Sequence, residues 1–201
     1  MDKDVSQAIF FYTRHPISAD IILAKLRASR GDLVGLRPEE LFPHDQDHYG
    51  GVAANYELAK GAAIGKATRV ADFCAGLGGP ARYLAHRYGA QVVGIELTPA
   101  RVAGGQKLTS LVGLQEAVRI VEGNVMAVPL DAESVDVVVS QEALLHNSRS
   151  SAGARRGLSG SEEGRSARLH RLGRAPTAGS GGQGPSLGRP GCPSARKPGV
   201  L

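Results

Sequence analysis

The sequence predicts an α/β fold built on an open parallel sheet, with helices before it and a tail of different character after it. Short apolar segments alternate with amphipathic ones between residues 68 and 147. This alternation is typical of parallel strands joined by right-handed helical crossovers. A glycine-rich loop follows the first apolar segment, and the alternation stops at Asn147. The predicted sheet is therefore incomplete.

The chain divides into three regions. Ser18 is a typical N-cap for an amino-terminal helix that ends at Gly31, because its hydroxyl can accept from a free backbone N–H and glycine tolerates the helix-ending conformation. We therefore expect a helical or lid segment over residues 1–50, an α/β ligand-binding region over residues 51–147 and a disordered tail over residues 148–201.

The α/β region contains the pattern of four strands and two helices. The predicted strands are Arg69–Phe73, Gln91–Ile95, Val118–Val121 and Val135–Val139. The predicted helices are Gly78–Tyr88 and Thr98–Leu111. The last strand is a nearly continuous β-branched run, which is typical of a parallel strand buried on both faces.

Positive charge is confined to the tail. Residues 148–201 contain ten Lys and Arg against two Asp and Glu, a net +8, whereas residues 1–147 contain fourteen against seventeen, a net −3. The tail has no aromatic residue for base stacking, so we expect no nucleic-acid partner. No apolar run approaches the roughly 20 residues that span a bilayer, so we expect no membrane partner. Asp2 and Asp4 occupy the start of the chain instead of a signal peptide, which favours a cytoplasmic location.

The cysteines and histidines do not predict a metal centre. Cys74 and Cys192 lie in very different surroundings and indicate neither a disulfide framework nor a ligand spacing. His44 and His48 have the four-residue spacing of helical zinc ligands. Pro43 and the polar neighbours favour a loop there. A substrate lid, an exposed turn and a metal site are the alternatives for this segment, and we expect a lid and no metal.

The main functional signal lies where the first predicted strand becomes a helix. Gly76 and Gly78 permit a tight turn and a close approach of the backbone to a ligand. In open α/β sheets, ligands bind at the carboxyl ends of the strands. Glu96 ends the next strand, about twenty residues further on, where an acid can bind a pair of ribose hydroxyls.

Two cofactors fit this pattern when it is taken alone. The glycine pattern, extended to Ala81, also matches the dinucleotide fingerprint, so a nicotinamide-dependent oxidoreductase is the alternative. Three features favour S-adenosylmethionine. Asp72 precedes the loop, where a carboxylate can meet an ammonium group. Pro80 removes an N–H that a pyrophosphate would require. Asn124 follows the third strand, where a polar side chain can bind an adenine edge.

Residues 51–146 resemble the class I S-adenosylmethionine-dependent methyltransferases. Asp72-Phe73-Cys74-Ala75-Gly76-Leu77-Gly78 is similar to the family's acid-x-Gly-x-Gly-x-Gly loop, with Cys74 in place of the first glycine, as in quinone-biosynthesis-type members. The resemblance implies an enzyme with a Rossmann-like methyltransferase sheet and S-adenosylmethionine as its cofactor. It is closest to the small-molecule branch, which includes sarcosine/dimethylglycine, phosphoethanolamine, sterol and quinone methyltransferases.

The resemblance also assigns site residues. The cofactor-binding residues it implies are Asp72, Cys74, Gly76, Gly78, Glu96, Leu97, Asn124, Val125 and Gln141. In this branch an amino-terminal segment closes over the substrate, which implies substrate contacts by Tyr12, His48 and Tyr49. The segment after the fourth strand lines the methionine and substrate side, which implies a substrate contact by His146. We expect a small-molecule acceptor, with an amine nitrogen preferred. An amine needs only to arrive unprotonated, so no catalytic residue is assigned.

The tail is predicted to come from a shifted reading frame. The family continues after its fourth strand with a helix, a Gly-Gly turn and further strands, which residues 148–201 do not supply. Allowed codons for Gly157–Pro176, translated one base later, can give VYRVLKKGGRLAFTDWVAR, which resembles that missing segment. Glu162-Glu163-Gly164 forces two basic residues in that frame. The alternative is a natural disordered tail.

A frame shift after about Asn147 would have physical consequences. A sheet that ends at its fourth strand has an unpaired edge and an uncovered face. Its substrate wall is also incomplete. We therefore expect this chain to be marginally stable, prone to aggregation and weakly active or inactive. A non-catalytic S-adenosylmethionine-binding fragment is the corresponding alternative function.

Overall fold

The computed structural model describes residues 3–131, 134–142 and 168–172, and the side chains of residues 5–131 and 134–142. The helices in these ranges are α1 Lys3–Thr13, α2 Ala19–Arg30, α3 Pro38–Leu41, α4 Gly51–Gly61, α5 Gly79–Tyr88 and α6 Pro99–Leu111. The strands are β1 Arg69–Phe73, β2 Gln91–Glu96, β3 Val118–Glu122, β4 Val137–Gln141 and β5 Arg168–Leu172. No helix in the described part of the chain has both the length and the apolar character needed to cross a bilayer.

The strands form one parallel sheet in the order β3-β2-β1-β4-β5. From β1 the chain moves outward to β2 and β3 and then returns to place β4 on the other side of β1. The carboxyl ends of β1 and β4 therefore flank the point at which the strand order reverses. Open α/β sheets bind their ligands at such a point. The predicted parallel α/β sheet is confirmed.

The central strands are buried on both faces. Val70 and Val139 pack in one apolar cluster with Leu84 of α5. Phe73 and Val138 belong to a separate cluster on the opposite face. This two-sided burial explains why the β4 segment is a run of β-branched residues without polar alternation.

The amino-terminal helices pack against α6. Ser18 caps α2 by accepting a hydrogen bond from Ile21 N at 3.4 Å, and Gly31 ends the helix with a φ of 91°. Leu23 of α2 is 1% exposed and packs with Leu108 of α6. The predicted cap and stop of this helix are confirmed, and its packing holds the amino-terminal segment beside the α/β region.

The strand β5 corrects part of the prediction for the tail. Arg168–Leu172 pairs in parallel with β4 over its whole length, so the sheet does not end at four strands and residues 148–201 are not without an ordered element. Strand pairing is made by backbone N–H and C=O groups, and the open edge of β4 can therefore accept an extended segment that lacks a strand-like side-chain pattern. The rest of the predicted tail lies outside the described residues.

Candidate functional site

The loop between β1 and α5 forms the floor of the candidate site. Cys74, Gly76 and Gly78 all have positive φ, at 61°, 58° and 78°. A Cβ atom at Gly76 would lie 2.7 Å from Arg101 Nη2, and one at Gly78 would lie 2.7 Å from Ile120 Cδ1. The positive φ of both glycines confirms the tight turn that the sequence predicted, and the close approach of their backbone to a ligand stays a prediction. Cys74 adopts the left-handed conformation at a cost of about 1–2 kcal/mol.

Glu96 ends β2 with its carboxylate held in one orientation. Gly76 N donates to Oε2 at 2.9 Å and Thr98 N donates to Oε1 at 2.8 Å. The residue is 6% exposed. Each carboxylate oxygen can accept a second hydrogen bond. This fixed carboxylate can therefore accept from a pair of ligand hydroxyls.

Asp72, near the end of β1, is a buried carboxyl group with an unsatisfied oxygen. It is 3% exposed, and its Oδ2 has no hydrogen-bond partner in the described ranges. Burial, and then the charge of Glu96, raises the pKa of Asp72 from 3.8 to about 7. An unpaired buried carboxylate is unfavourable, and a cationic ligand group would offset that cost. Asp72 therefore fits an ammonium or sulfonium group.

A cavity of about 360 Å³ opens above this loop and brings most of the predicted residues together. Its lining includes the predicted cofactor residues Asp72, Cys74, Gly76, Glu96, Leu97 and Gln141. It also includes the predicted substrate residues Tyr12, His48 and Tyr49. The amino-terminal segment thus forms one wall of the cavity, opposite the carboxyl ends of the strands.

Three predicted residues do not line the cavity, and a fourth lies outside the described residues. Gly78 packs beneath the loop, where its N–H donates to Ala75 O at 2.8 Å. The Asn124 side chain closes its own turn by accepting from Met126 N at 2.8 Å, and Val125 is buried in the apolar cluster around Phe73. His146 lies outside the described residues. The adenine contacts of Asn124 and Val125 and the substrate contact of His146 stay predictions.

The cavity also contains an ion pair that the sequence did not indicate. Arg101 of α6, which is 5% exposed, donates through Nη2 to Asp47 Oδ2. His15 Nδ1 lies 3.8 Å from the same carboxylate oxygen, and the Arg101 guanidinium lies 5.5 Å from the centre of the Tyr12 ring. A cation in the first turn of a helix interacts unfavourably with the helix dipole. The position of Arg101 in the first turn was therefore the one sequence feature that could have indicated a specific anionic partner.

Glu142 is a second cavity residue that the sequence did not single out. It follows β4 directly and has a φ of 56°, a conformation that costs energy in residues other than glycine and is often found at functional sites. Its Oε2 accepts from Tyr49 N at 3.2 Å. The carboxylate thus links the end of β4 to the amino-terminal wall.

The histidine segment and Cys74 are the residues for which metal binding or thiol reactivity was weighed. His44 and His48 lie in the loop between α3 and α4, where His48 contacts Gln46 Oε1 at 3.2 Å and Tyr49 O at 3.1 Å. Among the described residues, no three His, Cys, Asp or Glu side chains are grouped as metal ligands. Burial, followed by the charges of Glu96 and Asp72, raises the pKa of Cys74 to about 12. Its thiol is therefore neutral, consistent with a packing role.

Comparison with known proteins assigns the central part of the chain. Residues 71–156 match the family described as methyltransferase domain. The glycine/sarcosine/dimethylglycine N-methyltransferase of Actinopolyspora halophila is 34% identical over 84 residues, which cover 42% of this chain and 15% of that protein. The probable chloroplastic tocopherol O-methyltransferase of Oryza sativa subsp. japonica is 37% identical over 81 residues, covering 40% of this chain and 22% of that protein.

A solved structure extends the likeness to the fold. Phosphoethanolamine N-methyltransferase 2 of Haemonchus contortus, in complex with phosphomonomethylethanolamine and S-adenosylhomocysteine, superposes with a TM-score of 0.50 and 21% identity. The superposition covers 67% of this chain and 31% of that chain. The chain therefore spans less than a third of the length of each of these three proteins.

Proposed function

We propose that this fold transfers a methyl group to the nitrogen of a small amine. The premise is that residues 71–156 belong to the class I S-adenosylmethionine-dependent methyltransferases, whose cofactor is S-adenosylmethionine. The observation that carries the proposal is the pair of carboxyl groups at the ends of neighbouring strands. Asp72 has a buried oxygen that no group in the described ranges bonds, and Glu96 is held by two backbone N–H groups. Together they match a ligand that has a cation at one end and ribose hydroxyls nearby.

The cavity residues would hold the cofactor in a defined orientation. Glu96 would accept from the two ribose hydroxyls, and Asp72 would face the ammonium group of the methionine portion. Gly76 allows the backbone to approach without a side chain. Leu97 would pack against the base, and Gln141 would face the methionine portion from the end of β4.

An amine acceptor fits the charge of the cavity wall. Asp47 and Glu142 add carboxylates to those of Asp72 and Glu96, while Arg101 is paired with Asp47. A cavity with an excess of carboxylates favours entry of a cationic molecule. Tyr12, Tyr49 and His48 in the amino-terminal wall would cover the acceptor, as proposed from the resemblance.

The protein's role in the reaction would be alignment and exclusion of water. The cofactor supplies an electrophilic methyl group: the amine lone pair forms the new N–C bond while the S–C bond breaks and its electrons stay on sulfur. An acceptor that enters as an ammonium ion must release its proton to solvent before attack, and the wall of the cavity would hold the neutral amine in line. No proton-accepting residue is assigned to this chain.

Cofactor binding tests the proposal most directly. Calorimetric titration of the full 201-residue chain with S-adenosylhomocysteine is expected to show binding, and titration with NAD is expected to show none. The reverse result would favour the nicotinamide-dependent alternative. Transfer from labelled S-adenosylmethionine to sarcosine, compared with a phenol acceptor, then separates amine from hydroxyl specificity.

We also propose that the codons after about residue 147 are translated out of frame, which would leave this chain as a weakly active or non-catalytic cofactor-binding fragment. The position of β5 supports this proposal. Allowed codons in the shifted frame can give the strand-like string LAFTDW at residues 167–172, and β5 occupies Arg168–Leu172. Sequencing the gene through codon 147 tests it: an unaltered frame in an intact gene would overturn the proposal.

A further inference from the structure

We infer that a directional chain of side-chain hydrogen bonds, anchored on a buried ion pair, orients the Gln141 amide so that its carbonyl oxygen faces the cavity and binds an N–H group of the ligand. The inference rests on the proposed function, because it concerns the same cavity. It assigns positioning roles to residues that lie outside the cavity lining or away from the strands.

The chain begins at the ion pair between Arg82 and Asp45, whose side chains are both 0% exposed. Arg82 donates to Asp45 Oδ2 through Nη2 at 2.9 Å and through Nε at 3.2 Å. It also donates through Nη1 to Thr109 Oγ1 at 3.0 Å. A guanidinium only donates and keeps its charge, and the carboxylate beside it therefore acts only as an acceptor.

This acceptor sets the direction of every amide that follows. Gln46 Nε2 donates to Asp45 Oδ1 at 2.6 Å, which turns Gln46 Oε1 toward Asn55. Asn55 Nδ2 donates to that oxygen at 2.6 Å, and Asn55 Oδ1 then accepts from Gln141 Nε2 at 2.7 Å. Each amide has one donating and one accepting end, so reversing any one of them would place two donors or two acceptors together.

The last oxygen of this series has no hydrogen-bond partner among the residues that the structure describes. Gln141 Oε1 is buried and makes no hydrogen bond in the described part of the chain, and Gln141 lines the cavity. A carbonyl oxygen can only accept, so it recognises an N–H or O–H group and rejects a carboxylate. An ammonium or amine group satisfies it. Two such groups enter this cavity under the proposed function: the α-ammonium of the cofactor and the acceptor amine.

Backbone packing shows that the start of the chain is held close to the cofactor loop. A Cβ atom at Gly79, the first residue of α5, would lie 2.1 Å from the Asp45 carbonyl oxygen. Asn55 of α4 is 0% exposed, so bulk solvent does not compete for its amide. The chain therefore joins the amino-terminal wall, α4, α5 and the end of β4 through groups that have fixed polarity.

The test compares two ligands that differ in one portion. S-adenosylhomocysteine carries the α-ammonium group, and 5′-methylthioadenosine lacks the whole amino-acid portion. In the full 201-residue protein, Asn55→Leu frees the Gln141 side chain to rotate. We expect the affinity for S-adenosylhomocysteine to fall about tenfold, because hydrogen bonds to charged groups are strong. The affinity for 5′-methylthioadenosine is expected to stay unchanged. Asn55→Asp keeps the oxygen that accepts from Gln141 Nε2 but replaces the donor to Gln46 Oε1 by a second oxygen, so its affinity for S-adenosylhomocysteine is expected to lie between those of the unaltered protein and Asn55→Leu.

Two further variants separate orientation from folding. Thr109→Val removes a hydrogen bond to Arg82 on the side away from the series of side-chain hydrogen bonds. It is expected to leave unchanged the ratio of the affinities for S-adenosylhomocysteine and 5′-methylthioadenosine. Gln141→Met removes the oxygen itself without touching the buried ion pair, and it is expected to reproduce the loss seen in Asn55→Leu.

The outcomes distinguish the two sources of the amine. If S-adenosylhomocysteine affinity is unchanged in Asn55→Leu and Gln141→Met but sarcosine binds more weakly to the S-adenosylhomocysteine-loaded chain, the acceptor amine is the partner of Gln141. Equal weakening of both adenosine ligands, or no change in any of the three, overturns the inference. Failure of the unaltered chain to bind S-adenosylhomocysteine would instead contradict the proposed function.

Discussion

Asp72 links ligand binding to pH at the scale of a single side chain. Its pKa is raised to about 7 by burial and by the charge of Glu96, and a cationic ligand pairs only with the ionised form. Affinity for S-adenosylhomocysteine is therefore expected to rise between pH 6 and pH 8. Asp72→Asn should remove this dependence and weaken binding at pH 8 about tenfold. Calorimetry at three pH values measures it, and an unchanged pH profile in the variant would contradict the assignment.

The same carboxyl group has the opposite effect on the stability of the ligand-free chain. Its pKa is 3.8 when unfolded and about 7 when folded. Between these values the folded state binds a proton that the unfolded state lacks, so the free energy of unfolding falls as pH rises through this window and levels off above it. Urea unfolding of Asp72→Asn is expected to show a higher midpoint than the unaltered chain at pH 8 and a smaller difference at pH 4. Equal midpoints at pH 8 would show that Asp72 is not destabilising.

Glu96 has a matched control on the neighbouring strand. Glu96 and Glu122 are register partners at the ends of β2 and β3, but only Glu96 lines the cavity, and Glu122 is exposed. Glu96→Gln is expected to weaken S-adenosylhomocysteine binding at least about tenfold, because a neutral amide accepts less strongly from the ribose hydroxyls. Glu122→Gln is expected to leave it unchanged. Equal losses in the two variants, measured by calorimetry, would indicate an effect of net charge instead.

Two glycine-to-alanine changes compare helix contacts at the scale of elements. A Cβ atom at Gly79 of α5 would lie 2.1 Å from the Asp45 carbonyl oxygen. A Cβ atom at Gly61 of α4 would meet no other atom within 4 Å. Gly61→Ala is expected to stabilise the chain by about 0.5–1 kcal/mol through helix propensity. Gly79→Ala is expected to destabilise it by about 1–3 kcal/mol through overpacking. Urea unfolding provides both values, and stabilisation by Gly79→Ala would exclude close docking of the Asp45 loop.

The elements that the sequence predicted well are those with local signals. The N-cap at Ser18 and the C-cap at Gly31 set the two ends of α2, and each acts through contacts with residues of that same helix. The strand predicted at Val135–Val139 is instead Val137–Gln141, because a continuous β-branched run marks a strand but not its ends. Its start depends on Asp136, whose carboxylate accepts from Arg69 N at 2.9 Å, a contact between distant parts of the sequence.

The site shows the same division between local and long-range information. Asp72 and Glu96 were predictable because strand ends and glycine spacing place them from nearby sequence. The partners of Arg82 and Arg101 were not, since Asp45 lies 37 residues from Arg82 and Asp47 lies 54 residues from Arg101. No periodicity spans such distances. The pairing is decided by how the amino-terminal segment packs on α5 and α6.

At the scale of the whole molecule, the sheet includes a fifth strand that is more polar than parallel strands of α/β sheets usually are. The strand β5 has the sequence Arg-Leu-His-Arg-Leu and pairs with β4, whose residues Val137–Ser140 are buried. Parallel strands of α/β sheets are normally apolar on both sides. The string LAFTDW, which allowed codons can give in the shifted frame, has more apolar residues at these positions. We therefore expect this segment to support the fold less well than an apolar strand would.

This mismatch leads to a prediction for the two forms of the gene product. A chain with the frame restored after about codon 147 is expected to unfold at higher urea concentration than the 201-residue chain and to transfer methyl groups to an amine at least about tenfold faster, because its later strands would complete the sheet and the substrate wall. Both forms are expected to bind S-adenosylhomocysteine, since Asp72, Glu96 and the glycine loop precede the change. Turnover by the 201-residue chain equal to that of the restored chain would show that the residues after Asn147 are sufficient as they stand, and the frame-shift proposal would then be abandoned.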